Sequence, residues 1–267
     1  MEKQRFNFKD YKTYLPEHKK KLDSYFLTWF IGFSEGDGSF ISSKSSGLVR
    51  NFFIIVQKDP KILYYIKENL GFGLVKQRKD GYFYYYVTDQ ENIDRLIRIF
   101  NGNLVVEKVC ERFKNWFLAY ESYTKIKNKV SFLPFDPDRS KSLLTLENPW
   151  LCGFTDAEGC FSGLMVSSTC VKLKFSIKQL YSDAFIKNLR SLFGFICPDE
   201  KEYILFETCK RVDLHRISNY FCVHKLKSNK RISYLRWRRV LFLKDEADKS
   251  EKSLKKLGRL VENINQF

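Results

Sequence analysis

The chain has 267 residues, 44% of them apolar, enough to bury one large core or two modest ones. Lysine and arginine number 47 against 31 aspartates and glutamates, and a formal charge of +16 argues for a polyanionic partner, nucleic acid ahead of an anionic membrane surface. No apolar run reaches the length of a membrane span, and the charged stretch Met1 to Asp23 lacks the apolar stretch of a signal peptide, so neither a membrane location nor secretion by the usual route is expected.

Residues 1–21 are polar and basic and read as a lead-in along the protein surface or along a nucleic acid. From Leu22 to Ser34 the spacing of Tyr25, Phe26, Trp29, Phe30 and Phe33 predicts a helix, ended by Gly36 and Gly38. Strands are expected over Ser39 to Lys44 and Leu48 to Gln57, joined at Ser45-Ser46-Gly47. Asp59-Pro60 opens a helix over Lys61 to Leu70, which Gly71 stops. Two more strands, Leu74 to Arg78 and Tyr82 to Thr88, turn at Lys79-Asp80-Gly81, and helices follow over Glu91 to Phe100 and Cys110 to Tyr123.

Lys125 to Thr145, with Pro134 and Asp136-Pro137-Asp138 and no clear period, reads as a linker. The order then repeats: helix at Trp150 to Thr155, strands at Cys160 to Met165 and Thr169 to Gln179, helix at Ser182 to Phe193, strand at Tyr203 to Thr208, helices at Arg211 to Tyr220 and Ser228 to Leu243. A charged, helical tail follows Lys244. The division is therefore a lead-in (1–21), a first repeat (22–125), a linker (126–145), a second repeat (146–243) and a tail (244–267).

One nonapeptide occurs in both repeats. Phe30 to Gly38 (FIGFSEGDG) and Leu151 to Gly159 (LCGFTDAEG) share the order apolar, small, acidic, small, acidic, glycine. Gln57 lies 20 residues past Asp37 and Gln179 21 past Glu158; Lys108 lies 71 past Asp37 and Lys230 72 past Glu158. Each half thus places an acid, a glutamine and a lysine in one register, as a duplicated fold unit does. Gly32 with Gly36, and Gly153 with Ala157, are four apart and on one helix face, where small residues let two helix backbones approach. Such packing would bring the helix ends, and with them Asp37 and Glu158, together. Two close carboxylates repel unless a cation lies between them. The last helix carbonyls, Gly36 O and Ala157 O, are natural further ligands, and hard oxygen donors of this kind select Mg²⁺ over zinc. Zinc has little material here: there are three histidines, and the seven cysteines form no CxxC pair.

The strands carry the charge. Val171 to Lys178 alternates without a break, turning Val171, Leu173, Phe175 and Ile177 to a core and Lys172, Lys174, Ser176 and Lys178 outward. Ser39, Ser43, Arg50, Lys76, Arg78, Tyr82, Tyr84, Tyr86 and Ser162, with Lys201 and Tyr203, extend a basic and aromatic character to the other strands. A solvated face accounts for any one such strand; a curved sheet of them fits a major groove, where phosphate contacts position and base-edge contacts specify. The cluster Lys225 to Arg231, with Lys227 and Arg231 foremost, suits phosphates.

The paired nonapeptides resemble the LAGLIDADG motif, and from about residue 22 to 243 the chain is similar to single-chain, two-motif LAGLIDADG homing endonucleases. It departs from the consensus at Ser34 and Thr155, at Glu35 in place of Asp, and at Glu158 for the second catalytic acid. The resemblance implies an α+β fold of two pseudo-symmetric αββαββα repeats, with a saddle of antiparallel strands in the major groove. It implies that Asp37 and Glu158 bind metal, that Gln57 and Gln179 order active-site solvent, and that Lys108 and Lys230 stand near the scissile phosphates. The expected activity is Mg²⁺-dependent hydrolysis of one phosphodiester per strand of a long asymmetric DNA target, leaving short 3′ overhangs. Mn²⁺ would substitute and Ca²⁺ would bind without supporting cleavage. The alternative is an intron maturase that binds intron RNA to assist splicing. The resemblance further implies a monomer, and residues with AT-rich codons (Phe, Tyr, Ile, Lys) point to an organellar genome, mitochondrial or chloroplast.

Overall fold

A computed structural model describes residues 6–16, 22–45, 48–126, 133–136, 144–167, 170–180, 189, 192, 203–246 and 250–266. They fall into two compact units, Met1–Phe154 and Thr155–Phe267.

The first unit runs α1 (Lys9–Tyr14), α2 (Ser24–Asp37), β1 (Gly38–Ser45), β2 (Leu48–Gln57), α3 (Lys61–Leu70), β3 (Leu74–Gln77), β4 (Phe83–Val87), α4 (Gln90–Phe100) and α5 (Glu107–Ile126). Its strands form an antiparallel sheet in the order β1-β2-β4-β3. Local chemistry sets the boundaries. Asp23 accepts from Tyr25 N at the start of α2, Asp89 from Asn92 N at the start of α4, and Gly71 ends α3 in the left-handed conformation at φ 75°. Gly81, at φ 86°, turns β3 into β4.

Alternation gives the sheet a buried and an open face. Phe40 on β1, Phe53 on β2 and Phe100 on α4 form mutual ring contacts with Phe30 of α2 and Phe113 of α5. Trp116 Nε1 donates to Ile41 O and Phe52 O, fastening α5 under β1 and β2.

The second unit contains the last four residues of α6 (Trp150–Glu158), then β5 (Gly159–Ser167), β6 (Cys170–Leu180), β7 (Tyr203–Thr208), α7 (Arg211–Val223), α8 (Lys230–Glu246) and α9 (Glu251–Glu262). Its described strands pair antiparallel in the order β5-β6-β7. Phe161, Phe175, Phe221, Tyr234 and Trp237 make its aromatic core. The helix expected over Ser182 to Phe193, and the turn at Ser46-Gly47, lie outside the described residues except for Leu189 and Leu192.

Several expectations change. The helix expected to stop near Gly36 continues to Asp37, and its counterpart continues past Thr155 to Glu158. The break comes at Gly38, where a Cβ would stand 2.4 Å from Ser34 O, and at Gly159, where it would stand 2.3 Å from Thr155 Cγ2. The lead-in is not a loose surface segment over its described part: Phe8 and Tyr11 are buried, α1 packs on α4, and Asn7 exchanges hydrogen bonds with Asn103. Part of the expected linker is docked too, with Phe135 against Phe113 and Phe117 and Pro134 O accepting from Asn101 Nδ2. Apolar rings drive both dockings, a content that the surrounding charge conceals in the sequence.

Candidate active site

Asp37 is the last residue of α2 and Glu158 the last of α6, both half-buried. Each stands at the carbonyl end of its helix, where the helix dipole and the unsatisfied carbonyls make the surroundings negative. In the first unit the pairing of Gly38 with Ile55 carries the end of β2 back past the end of α2. Gln57 Nε2 therefore reaches Asp37 and donates to Oδ2 at 2.6 Å. In the second unit Gly159 pairs with Ile177, which gives Gln179 the same place in the register; its side chain lies outside the described residues.

The lysines differ. Lys108 is exposed in the first turn of α5, which starts at Glu107 and not at Cys110. Lys230 opens α8, and its ammonium donates to Ala157 O and, at 3.3 Å, to Thr155 O. A cation thus already rests on the carbonyl end of α6.

The small residues of the motif serve close packing within the first unit. A Cβ on Gly32 would lie 2.0 Å from Trp150 O, and one on Gly153 1.9 Å from Trp29 O, a reciprocal backbone contact between α2 and the start of α6. Gly36 and Ala157, expected on the same faces, are half-buried.

Two further acids of the motif helices, outside the expected site, are buried. Glu35, one of the departures from the consensus, is 1% exposed. Its Oε1 accepts from Val105 N at 2.8 Å and Val106 N at 2.7 Å, and its Oε2 from Trp150 Nε1 at 2.5 Å. Burial pushes its carboxyl up to about 8, against the lowering effect of these donors. Asp156, 4% exposed, accepts from Lys227 N and Ser228 N, both at 2.9 Å, and from Ser228 Oγ at 2.6 Å. Glu35 precedes Val106 by 71 residues and Asp156 precedes Ser228 by 72, the offsets that also separate Asp37 from Lys108 and Glu158 from Lys230.

The open face of the first sheet gathers Ser39 and Ser43 of β1, Arg50 of β2, Tyr84 and Tyr86 of β4, and Lys76 of β3, with Arg78 and Tyr82 at the turn; the register pairs Ser43 with Arg50 and Lys76 with Tyr84. Lys76 Nζ lies 5.4 Å from the centre of the Tyr86 ring, and Arg78 pairs with Asp80 at 2.9 Å. Between these polar groups the face also carries Ile41, Phe52, Ile54 and Val56, so it is more apolar than the charged residues alone imply.

On the second sheet Ser162 pairs with Lys174 and Leu164 with Lys172, while Lys172 and Lys178 are exposed. Lys174 is bound to Glu207 at 2.9 Å. Ser176 points to this face as the alternation requires but is only 7% exposed, covered between Cys160 and Glu207, which corrects its expected outward exposure. Tyr203 is placed by backbone pairing with Leu180; its side chain, and all of Lys201, lie outside the described residues. Lys227 is half-buried and Arg231 exposed. Among the described residues no three His, Cys, Asp or Glu side chains form a metal-binding group, and no helix is long and apolar enough to cross a membrane.

A family model described as LAGLIDADG endonuclease matches the chain twice, over residues 30–120 and 151–241. A probable intron-encoded endonuclease 4 of Neurospora crassa is 34% identical over 91% of the chain, and the chain spans 45% of that relative's length. An uncharacterized cox1 intron-2 protein of Schizosaccharomyces pombe is 28% identical over 87% of the chain and 71% of its own length. Among solved structures, the meganuclease I-SmaMI bound to uncleavable DNA superposes with a TM-score of 0.74 at 18% identity, covering 91% of this chain and 99% of that one.

Proposed function

The chain belongs to the LAGLIDADG endonuclease family, and from that membership we propose that it is a site-specific double-strand DNA endonuclease that hydrolyses one phosphodiester on each strand of a long asymmetric target and leaves short 3′ overhangs. The observation that carries this reading is the doubled placement of an acid, Asp37 or Glu158, as the last residue of a motif helix directly before a sheet with a basic face.

The residues suit a divalent metal. A carboxylate at the carbonyl end of a helix is disfavoured unless a cation is near, and the seating of the Lys230 ammonium on Ala157 O illustrates the demand. Asp37, Glu158, Gly36 O and Ala157 O would hold Mg²⁺, with Mn²⁺ as a working substitute and Ca²⁺ bound without cleavage. Bound metal supplies Lewis-acid stabilisation of the charge that develops on the phosphate oxygens. Gln57, which donates to Asp37, fixes the orientation of that carboxylate, and Gln179 has the matching role. Lys108 and Lys230 each place a positive charge by one scissile phosphate. Ser39, Ser43, Arg50, Lys76, Arg78, Tyr82, Tyr84 and Tyr86 of the first half contact DNA. From the second half, Ser162, Lys172, Lys174, Lys178, Lys201, Tyr203, Lys227 and Arg231 do the same. The enzyme acts as a monomer because both half-sites belong to one chain. The cox1 intron origin in the name of one relative, with the AT-rich codon bias, supports mitochondrial intron encoding.

The test is cleavage of a plasmid carrying a target selected from a random library. With Mg²⁺ the natural chain should linearise it, and Asp37→Asn and Glu158→Gln should each reduce cleavage by about a thousandfold while DNA binding persists. Stimulation of intron splicing with no DNA cut would overturn the reading in favour of a maturase.

A further inference from the structure

The buried acids Glu35 and Asp156 recur at one place in both halves. Each stands two residues before a proposed metal-binding acid, and side chains two apart on a helix point about 200° from one another. Asp37 and Glu158 therefore stay half-buried at the helix end while Glu35 and Asp156 turn inward.

Each inward carboxyl group accepts three hydrogen bonds, two of them from successive backbone amides: Val105 and Val106 for Glu35, Lys227 and Ser228 for Asp156. The third donor is Trp150 Nε1 for Glu35 and Ser228 Oγ for Asp156. The second amide of each pair lies two residues ahead of a lysine, Lys108 or Lys230. Core packing alone does not call for this. A buried carboxyl group costs several kcal/mol relative to an apolar side chain of similar size unless hydrogen bonds compensate it. The helix that carries the lysine could also start with its preceding amides facing water.

We propose that Glu35 and Asp156 are positioning residues, each clamping the backbone just ahead of its half's lysine to the end of the motif helix and so fixing where Lys108 or Lys230 stands relative to the metal-binding acid. The proposal rests on the endonuclease reading. It adds that each half carries its own clamp, so the two strands of DNA should lose cleavage separately.

The closest observation is the second half, where the segment held by Asp156 leads directly into Lys230, whose ammonium lies on Ala157 O, the carbonyl next to Asp156. Misplacing a charged group by about 1 Å costs on the order of a hundredfold in rate. Loss of the clamp should therefore be read in chemistry before it is read in binding.

The experiment uses the full chain, its selected target labelled separately on each strand, and single-turnover cleavage in Mg²⁺. Lys230→Met identifies the strand served by the second half. Asp156→Asn should slow that strand by about tenfold or more and the other by less than about threefold, with DNA affinity measured in Ca²⁺ within about threefold of the natural chain. Ser228→Ala, which removes only the hydroxyl donor, should give the same bias at smaller size. Glu35→Gln should bias the opposite strand. Amide hydrogen exchange of Lys227 and Ser228 should accelerate in Asp156→Asn without a matching rise across α7.

Equal slowing of both strands, or slowing that follows the fall in melting temperature, would overturn the proposal. If Asp156→Asn does not fold, Ser228→Ala decides by the same strand comparison. Failure of the natural chain to cut any target removes the endonuclease reading itself, and the exchange measurement still shows whether the carboxylate holds the segment.

Discussion

Gly32 and Gly153 act through what they lack. Each lets the opposite helix backbone come to about one van der Waals layer, and a Cβ at either would stand 2.0 or 1.9 Å from a carbonyl oxygen. Gly32→Ala should cost about 3 kcal/mol, because the obstacle is backbone that cannot rotate aside, and Gly153→Ala should cost a similar amount. Chemical denaturation of the full chain measures both, and a loss below about 0.5 kcal/mol at either site would contradict the contact. At the same scale burial separates the thiols. The Cys110 thiol is pushed up to about 12, chiefly by desolvation, so at pH 8 only roughly one molecule in ten thousand carries its thiolate. Cys160, Cys170, Cys209 and Cys222 are exposed. A disulfide reagent at pH 8 should modify those four rapidly and Cys110 slowly, as mass mapping of the labelled peptides would show. Raising the pH should speed Cys110 last.

The elements were largely legible because their signals are local. The period of Tyr25, Phe26, Trp29, Phe30 and Phe33 marks α2, Asp59-Pro60 and Gly71 bracket α3, and the alternation from Val171 to Lys178 marks β6. Helix ends were less so. Gly36 sits comfortably inside α2, and the chain turns only at Gly38, since the close approach to Ser34 O is a property of the fold and not of glycine content. The same limit applies to Phe8, Tyr11 and Phe135, apolar rings in charged surroundings whose docking partners lie far away in sequence. In the first sheet, Phe53 touches Phe30, Phe40 and Phe100 with no exposure, so Phe53→Ala should destabilise the chain by about 4 kcal/mol. On the open face of the second sheet, Lys172→Ala should leave stability unchanged, weaken DNA binding, and lower the slope of log affinity against log salt by about one. An unchanged slope would remove Lys172 from the DNA contacts.

For the whole molecule, the charge of +16 and the doubled motif carry the expectation of a nucleic-acid partner and of two half-sites. The halves are alike in register and unlike in side chains: Tyr84 and Tyr86 on one sheet face against Lys172, Lys174 and Lys178 on the other. Selection from a random library should therefore yield an asymmetric target, and a palindromic preferred site would contradict the difference between the faces. By itself the sequence determined the repeat, the faces of the strands and the matched spacing of acid, glutamine and lysine, because each is written in side-chain type at short or repeated intervals. Only the tertiary structure decided that Glu35 and Asp156 are buried and what they hold. Their partners are mostly backbone amides about 70 residues away, and an amide is the same in every residue but proline, so no side-chain pattern could name them.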